Sequence, residues 1–338
     1  MKCFSFILEQ PRITRLVMLI TMLLLQSGCS SLQLWLGWRV KLAEIPVTSM
    51  SARIDNGPGI APGFNAALIV SITQPDGHVL QTEGAGKGKI RWSDLAVSST
   101  LVNVNAKGVV TLNDDPTISE GQTGHIVITI PSHPGIRAEL DVPVHYTASF
   151  TADFSGQRGR NGKDGDNGID GAMGSMGSLD PNSPSPGGNG GNGTDGTNGE
   201  DGAPGDDALP VYVIITLRHS AARPLLQVFT ANQTQQKLFL IDPDGGSLTV
   251  RADGGPGGFG GHGGRGGQGG PGGAGTPPGA RGIDGMNGRD GFSGKQGKGA
   301  RITVIYDRRV LPYLGVIHLS SSNGPPPAYE QQQVKSLW

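Results

Sequence analysis

The chain of 338 residues is poor in cysteine, in aromatic side chains and in net charge. Its two cysteines, Cys3 and Cys29, lie close to the N-terminus, so the remaining residues can form no disulfide and no cysteine-based metal or redox site. A formal net charge of −1, without any basic tract, argues against a nucleic-acid partner. Aromatic residues make up only 5% of the chain.

The sequence also lacks a pattern of catalytic or metal-ligating residues. The seven histidines show no metal-ligand spacing, and no Gly-Lys-Ser/Thr motif follows the glycines as it would in a phosphate-binding loop. Asp164–Gly168 has the composition of a calcium loop, but not the ligand order of an EF-hand. We therefore predict a protein that is not an enzyme, with no cofactor and no assigned metal site.

No apolar run in the sequence is as long as the roughly 20 residues that span a bilayer. The longest, Leu16–Leu25, is interrupted only by Thr21 and follows Lys2, Arg12 and Arg15, which is typical of a secretory signal peptide. An alternative is an uncleaved membrane anchor that continues through Leu36.

The segment Leu25-Gln26-Ser27-Gly28-Cys29 resembles the lipobox of bacterial lipoproteins. The resemblance implies a signal peptide over residues 1–28, a fatty acid such as palmitate on Cys29, and attachment to a membrane through that lipid. Gln26 departs from the aliphatic residue usual at its position. Ser30 is similar to residues that direct lipoproteins to the outer membrane, so we expect a lipid-anchored protein of the cell envelope, with residues 29–44 as its tether.

Residues 45–154 are expected to form an immunoglobulin-like β-sandwich, with Trp92 as its core aromatic residue. Seven short strand-like runs separated by turn signals support this all-β prediction: Ala66–Thr73, His78–Thr82, Lys89–Trp92, Leu101–Asn105, Val109–Asn113, His125–Pro131 and Ala138–Tyr146. Essentially no α-helix is expected beyond the signal peptide.

A second β module is predicted in two parts, residues 209–252 and 300–320, which share one sheet or small sandwich. Its strand-like runs are Val211–Leu217, Leu225–Thr230, Lys237–Ile241, Ser247–Ala252, Arg301–Tyr306 and Gly315–Leu319. Asp242–Gly246 has the composition of a hairpin turn between two of them. The last segment, residues 321–338, is expected to be disordered.

Four runs with glycine at every third residue hold 39 of the 57 glycines, so they determine the rest of the architecture. They are run 1 (Gly156–Gly177), run 2 (Gly187–Gly205), run 3 (Gly254–Gly275) and run 4 (Gly279–Gly297). A period of three is that of a polyproline-II-type helix, whose glycine edge allows another backbone to approach closely. Run 3 and the first half of run 2 carry a second glycine in each triplet.

Three structures are compatible with these runs: a flexible linker, a homotrimeric collagen-like stalk, and a bundle of polyglycine-II-type helices within one chain. The constant register argues against a linker, and the scarcity of proline argues against collagen. We favour the bundle, with one helix pair over residues 155–208 and another over 253–299. Antiparallel pairing would bring the four ends joined to strands to one base. Because two glycine stripes allow close packing on two edges, run 3 should be the most surrounded, and the more polar runs 1 and 4 should be peripheral.

The repeats resemble the polyglycine-II bundles of some phage tip adhesins and glycine-rich antifreeze proteins, in repeat style only. Two functions remain open for a monomeric bundle of this kind: a structural or assembly component of the envelope, or an adhesin that recognises an envelope protein or a surface glycan. In the adhesin, the tips of the bundle would bind, and the candidate residues are Ser175, Met176, Leu179, Thr276, Pro277 and Pro278.

Overall fold

The computed structural model describes residues 39–55, 57–219 and 223–338. It is mostly β, with 34% of residues in strands and 7% in helices, as an all-β fold requires. The strands are β1 Ser49–Ile54, β2 Asn65–Thr73, β3 Val79–Gln81, β4 Ala96–Thr100, β5 Val102–Val104, β6 Val109–Leu112, β7 Thr123–Ile130, β8 His133–Pro143, β9 Ser149–Asp153, β10 Val211–His219, β11 Pro224–Ala231, β12 Gln236–Ile241, β13 Ser247–Arg251, β14 Ile302–Tyr306, β15 Ile317–Ser320 and β16 Ala328–Gln331.

Helices are few and short in the described residues. One single-turn α-helix, α1, covers Pro116–Ser119, and its first turn is capped by the side chain of Asp115. Four 3₁₀ helices cover Leu42–Glu44, Gly84–Gly86, Trp92–Asp94 and Arg308–Val316. The chain divides after Tyr146 into two compact units.

The first unit contains two antiparallel sheets that share one apolar core. One sheet has the order β1-β2-β6-β5, with β3 added beside β2, and the other has the order β4-β7-β8. Strand β7 shows why these residues form strands, because its inward side chains Ile126, Ile128 and Ile130 are buried and alternate with more exposed ones. Residues of both sheets contribute to the core.

Trp92 is a core aromatic residue, as the sequence predicts, with 5% of its surface exposed. The strand expected at Lys89–Trp92 is wrong: Ile90 makes only isolated bridges to Val40 and Thr82, and Trp92 begins a 3₁₀ helix. The indole packs over Gly108, which has a φ of 73° and no room for a side chain beside the ring. The ring therefore enters the core from a short helix.

The second unit contains two sheets, with the orders β12-β11-β10-β14-β16 and β15-β13-β9. Strand β9 pairs in parallel with β13, so residues 149–153 pair within this unit although the sequence placed them with the first β region. Asp242–Gly246 forms a turn closed by Gly246 N–H donating to the Asp242 carbonyl. The hairpin expected there is wrong, because β12 pairs with β11 and β13 inserts between β9 and β15.

The tail expected to be disordered is ordered. Residues 328–331 form β16, a parallel edge strand beside β14, and Gln332 N–H continues the pairing to the Tyr306 carbonyl. This strand is hard to predict from its residues, because β16 carries a single aromatic residue and its side chains are largely exposed.

Candidate functional site

The four glycine runs are hydrogen-bonded to one another along their whole length, and we call them together the glycine array. Runs 1 and 3 are parallel: Gly156 N–H donates to the Asp253 carbonyl at 2.9 Å, and the same offset repeats at every third residue as far as Gly177 and Ala274. Runs 2 and 4 are parallel in the same way, from the pair Gly187 and Pro277 onward.

The remaining contacts of the array are antiparallel. Thr194 N–H of run 2 donates to Ile169 of run 1, Gly264 N–H of run 3 donates to Thr197 of run 2, and run 4 donates in turn to run 3. Runs 2 and 3 are each bonded to the three other runs, whereas runs 1 and 4 are each bonded to two. The central place of run 3 and the peripheral places of runs 1 and 4 are those expected from their glycine stripes. Run 2 is central along its whole length, although its second half carries one stripe.

The strands and the glycine array share one register. Ser149 of β9 pairs with Ser247 of β13, an offset of 98 residues. The Phe259 N–H of run 3 donates to Oδ1 of Asn161 in run 1 at the same offset. Val211 of β10 pairs with Ile302 of β14 at an offset of 91, which is also the offset between runs 2 and 4. The base of the array is therefore continuous with two parallel strand pairs.

Most glycines of the array lie where no side chain would fit. A Cβ atom on Gly263 would overlap the carbonyl oxygen of Gly288 in run 4, and a Cβ atom on Gly264 would overlap that of Asp166 in run 1. Gly191 in run 2 is different, because the nearest atom to its Cβ position is the amide nitrogen of Ala172 at 3.1 Å. Both glycine stripes of run 3 are therefore occupied by neighbouring backbone, while the second stripe of run 2 is more open.

A ladder of asparagine and aspartate side chains joins runs 2 and 4. Each Oδ1 atom accepts the N–H of the residue that follows a glycine in run 4, at 2.6–2.9 Å. The donor residues are Ala280, Ile283, Met286, Arg289, Phe292 and Lys298, and the acceptors are Asn189, Asn192, Asp195, Asn198, Asp201 and Asp207. Pro204 interrupts the series where an acceptor for Lys295 would stand. These carboxylates and amides satisfy backbone donors that the glycine pattern leaves unpaired.

A second ladder joins runs 1 and 3, and its gaps coincide with proline. Asn161, Asp164, Asn167 and Asp170 accept the N–H groups of Phe259, His262, Arg265 and Gln268. At the same offset of 98 residues, Arg158 and Met173 stand opposite Pro256 and Pro271, which have no N–H to donate. A shorter ladder runs from Asp284, Asn287 and Asp290 of run 4 to glycines of run 3.

The role of these acidic and amide residues was not identified in the sequence analysis. The signal that could have identified them is the recurrence of Asn or Asp in one position of successive triplets, which in run 1 is absent opposite Pro256 and Pro271 of run 3. Asp164 and Asn167, from the segment with calcium-loop composition, both take part in the ladder. No group of three or more His, Cys, Asp or Glu residues that could hold a metal lies within the described residues.

We predict that the ladder stabilises the array through its acceptor atoms rather than through its charges. Replacing Asn192, Asp195 and Asn198 together by alanine should lower the free energy of unfolding by about 3 kcal/mol, at roughly 1 kcal/mol for each hydrogen bond. Interchanging the two residue types at the same three positions should change it by less than about 1 kcal/mol, since either side chain presents Oδ1. Urea unfolding followed by circular dichroism measures both. An equal decrease in the free energy of unfolding in the two variants would contradict the prediction.

The tips predicted from the sequence lie together at the end of the array away from the strands. Thr276 N–H donates to the Ser185 carbonyl at 2.9 Å, and Gly187 N–H donates to Pro277 at 3.0 Å, so the two turns are bonded side by side. The backbone of Ser175 is part of the array, because its carbonyl accepts the Gly188 N–H. Met176 and Leu179 are each 66% exposed, and Thr276, Pro277 and Pro278 are exposed as well.

At the base, Asp253 joins β13 to run 3 and binds the segment after β15. Its carboxylate accepts the Ser322 N–H at 2.6 Å, the hydroxyls of Ser320 and Ser322 at 2.8 and 2.9 Å, and the Arg251 Nε–H at 3.1 Å. Burial raises the pKa of Asp253, but these hydrogen bonds outweigh burial and lower it to about 2. The group is therefore ionised at neutral pH and serves as a fixed acceptor.

The predicted lipidation site, Cys29, lies outside the described residues, as do the signal peptide and most of the tether. In the part of the chain that is described, no helix is long and apolar enough to span a bilayer. The chain matches no protein-family model and no curated protein sequence.

Proposed function

We propose that the four runs are polyglycine-II-type helices packed as one rigid bundle within a single chain. The observation that carries this is the hydrogen bonding of every run to other runs of the same chain at three-residue intervals. Such a helix has no internal hydrogen bonds, so it depends on its neighbours for order. At about 3.1 Å per residue each run would extend roughly 60–70 Å, which would make the bundle a long, stiff body.

We further propose that the first unit is an immunoglobulin-like sandwich. Apart from the added strand β3, its strand orders β1-β2-β6-β5 and β4-β7-β8 correspond to the orders A-B-E-D and C-F-G of that fold. Trp92 lies shortly before β4, the strand that corresponds to C, and is buried in the shared core. These observations support an immunoglobulin-like sandwich that lacks the disulfide of antibody domains.

On this basis the protein is a non-enzymatic lipoprotein of the bacterial envelope that acts as a structural or assembly component. The lipobox-like sequence before Cys29 supports the membrane anchor. The bundle supports a mechanical role, because both parallel strand pairs continue into it without a change of register. Its asparagine and aspartate side chains accept hydrogen bonds from neighbouring runs and so help to hold the runs together.

An alternative is an adhesin that binds an envelope protein or a surface glycan through the tips. The exposure of Met176 and Leu179 favours this alternative, since both are apolar and lie at the end of a rigid element. The second alternative, a homotrimeric collagen-like stalk, is less favoured. Its glycine edges would face two other chains, whereas here they face the runs of the same chain.

A complementation experiment distinguishes these functions. A strain that lacks the protein would receive the parent chain, a bundle variant with Gly263→Ala, or a tip variant with Met176→Ser and Leu179→Ser. If the protein is structural, the tip variant restores resistance to detergent and the bundle variant does not. Loss of cell or glycan binding in the tip variant, with envelope resistance restored, would favour the adhesin instead.

The lipid anchor has its own test, since Cys29→Ser should abolish labelling by a palmitate analogue and release the protein from the membrane fraction. The matched control is Cys3→Ser, which should leave both unchanged because Cys3 lies in the expected signal peptide. Equal labelling of the two variants would contradict the lipoprotein proposal.

A further inference from the structure

The C-terminal segment is bound to the second unit as a peptide is bound to a groove. Residues 328–331 add the strand β16 to the edge of β14, in parallel, with Thr303 opposite Ala328 and Tyr306 opposite Gln331. Without it, β14 would present a row of unpaired N–H and C=O groups, which is a template for a strand from elsewhere.

Beyond β16, buried polar side chains of the sheet bind the main chain of the tail. Gln227 on β11 is fully buried, and its Oε1 accepts the Leu337 N–H at 3.1 Å and the Ser336 hydroxyl at 3.0 Å. Thr216 on β10 is also fully buried and donates its hydroxyl to the Val334 carbonyl at 3.1 Å. Any segment that replaces the tail and buries these groups must offer them the same hydrogen bonds, because a buried polar group without a partner costs free energy.

Two more charged groups bind the tail through its main-chain atoms. Asp307 accepts the Val334 N–H at 3.4 Å, and Arg218 donates to the main-chain oxygen of Trp338 at 3.0 Å. Residues 329–333 are exposed, whereas Val334, Leu337 and Trp338 are half-buried. The tail is therefore held by hydrogen bonds to its backbone and by three apolar residues, and an identical segment could supply both.

The residues just before β16 allow the C-terminal segment to leave without disturbing the rest of the second unit. Ser322 and Asn323 are fixed to Asp253 and Gln296, so the chain is anchored up to this point. Pro325–Pro327 follow, and they favour an extended, stiff conformation and donate no hydrogen bonds. An edge strand with few buried side chains is also the kind of element that opens locally.

We propose that this groove is an assembly site, in which the C-terminal segment of one copy docks on β14 and Gln227 of a second copy. The exchanged contact is the one already present within the chain, with the acceptor sheet and the segment supplied by different copies. This inference does not depend on the function proposed above, because it concerns only the sheet and tail of the second unit.

Disulfide trapping in the full chain tests the exchange, with Cys3 and Cys29 replaced by serine. One copy carries Ala328→Cys and another carries Thr303→Cys, at residues that are paired in the structure. After mixing and mild oxidation, the matched pair should give roughly tenfold more linked dimer than a mismatched pair of Gln331→Cys and Thr303→Cys, because disulfides require closely placed Cα atoms. Equal yields from the two pairs would overturn the proposal.

A chain that carries both Thr303→Cys and Ala328→Cys provides the second measurement. Oxidised at low concentration it should close the tail onto its own sheet, and it should then stay monomeric in light scattering at concentrations where the parent associates. A locked chain that associates as strongly as the parent would contradict the exchange. Failure of the double variant to close would also contradict it, because the tail would then not dock on β14.

Discussion

Replacing either Gly263 or Gly264 by alanine should lower the free energy of unfolding by about 3 kcal/mol or more, with an overpacking cost added to lost hydrogen bonds. Each Cβ atom would overlap a backbone carbonyl oxygen, of Gly288 in run 4 for Gly263 and of Asp166 in run 1 for Gly264. Backbone cannot swing aside as the end of a side chain can, so the runs must separate. Separation lengthens the neighbouring hydrogen bonds of the ladder as well.

The matched control is Gly191→Ala, the same chemical change in the same array. Its Cβ would lie 3.1 Å from the amide nitrogen of Ala172, and the corresponding positions further along run 2 already carry the side chains of Thr194 and Thr197. The loss of chain entropy in the unfolded state partly offsets the tight contact, so the change should stay within about 1 kcal/mol. Thermal and urea unfolding of the three variants, followed by circular dichroism, measure the difference.

Gly263→Ala and Gly264→Ala together also distinguish the proposed bundle from a collagen-like trimer. Collagen needs one glycine stripe at its axis, so one of the two adjacent glycines would tolerate alanine. In the array both stripes are in contact with other runs. A mild effect at either Gly263 or Gly264 would therefore count against the bundle and in favour of the trimer.

Periodicity and alternation made much of this architecture predictable. The alternating apolar residues of His125–Pro131 predict β7, and the constant glycine register predicts runs that pack on one another. Which strands pair with one another was harder to predict from the sequence, because strand pairing depends on residues far apart in the chain. Nothing local in Asp242–Gly246 indicates that the following strand lies between β9 and β15 rather than beside β12.

The two features missed altogether have a common physical cause. The asparagine and aspartate residues of runs 1 and 2 look like solvated surface, because their acceptor role exists only once a parallel run stands 98 or 91 residues away. The tail looks disordered because its order comes from the buried Gln227 and Thr216, which lie about 110 residues earlier in the chain. In both cases the binding energy comes from hydrogen bonds to main chain, which leave little trace in composition.

Asp253 holds the base of the array together, and its replacement by asparagine should lower the free energy of unfolding at pH 7 by about 2 kcal/mol, as expected for charge-assisted hydrogen bonds lost at a buried site. The carboxylate accepts from Ser320, Ser322 and Arg251, and only 9% of its side chain is exposed. An amide has one acceptor oxygen, and its NH₂ group would face a donor. The control is Asp290→Asn in run 4, where the exposed side chain needs only one acceptor oxygen.

The same residue predicts how the difference between parent and Asp253→Asn depends on pH. The pKa of Asp253 is lowered from 3.8 to about 2 in the folded protein, so its contribution is complete above about pH 5 and is lost progressively as the pH falls through 2. The pKa of Asp307 is also lowered to about 2, by hydrogen bonds from Arg309, but Asp307 is present in both chains and its effect cancels. Free energies of unfolding from urea titrations at pH 7, 4 and 2.5 should therefore differ clearly at the two higher values and by much less at the lowest. A difference that stays constant down to pH 2.5 would mean that the charge of Asp253 does not hold β13, run 3 and the Ser320–Ser322 segment together.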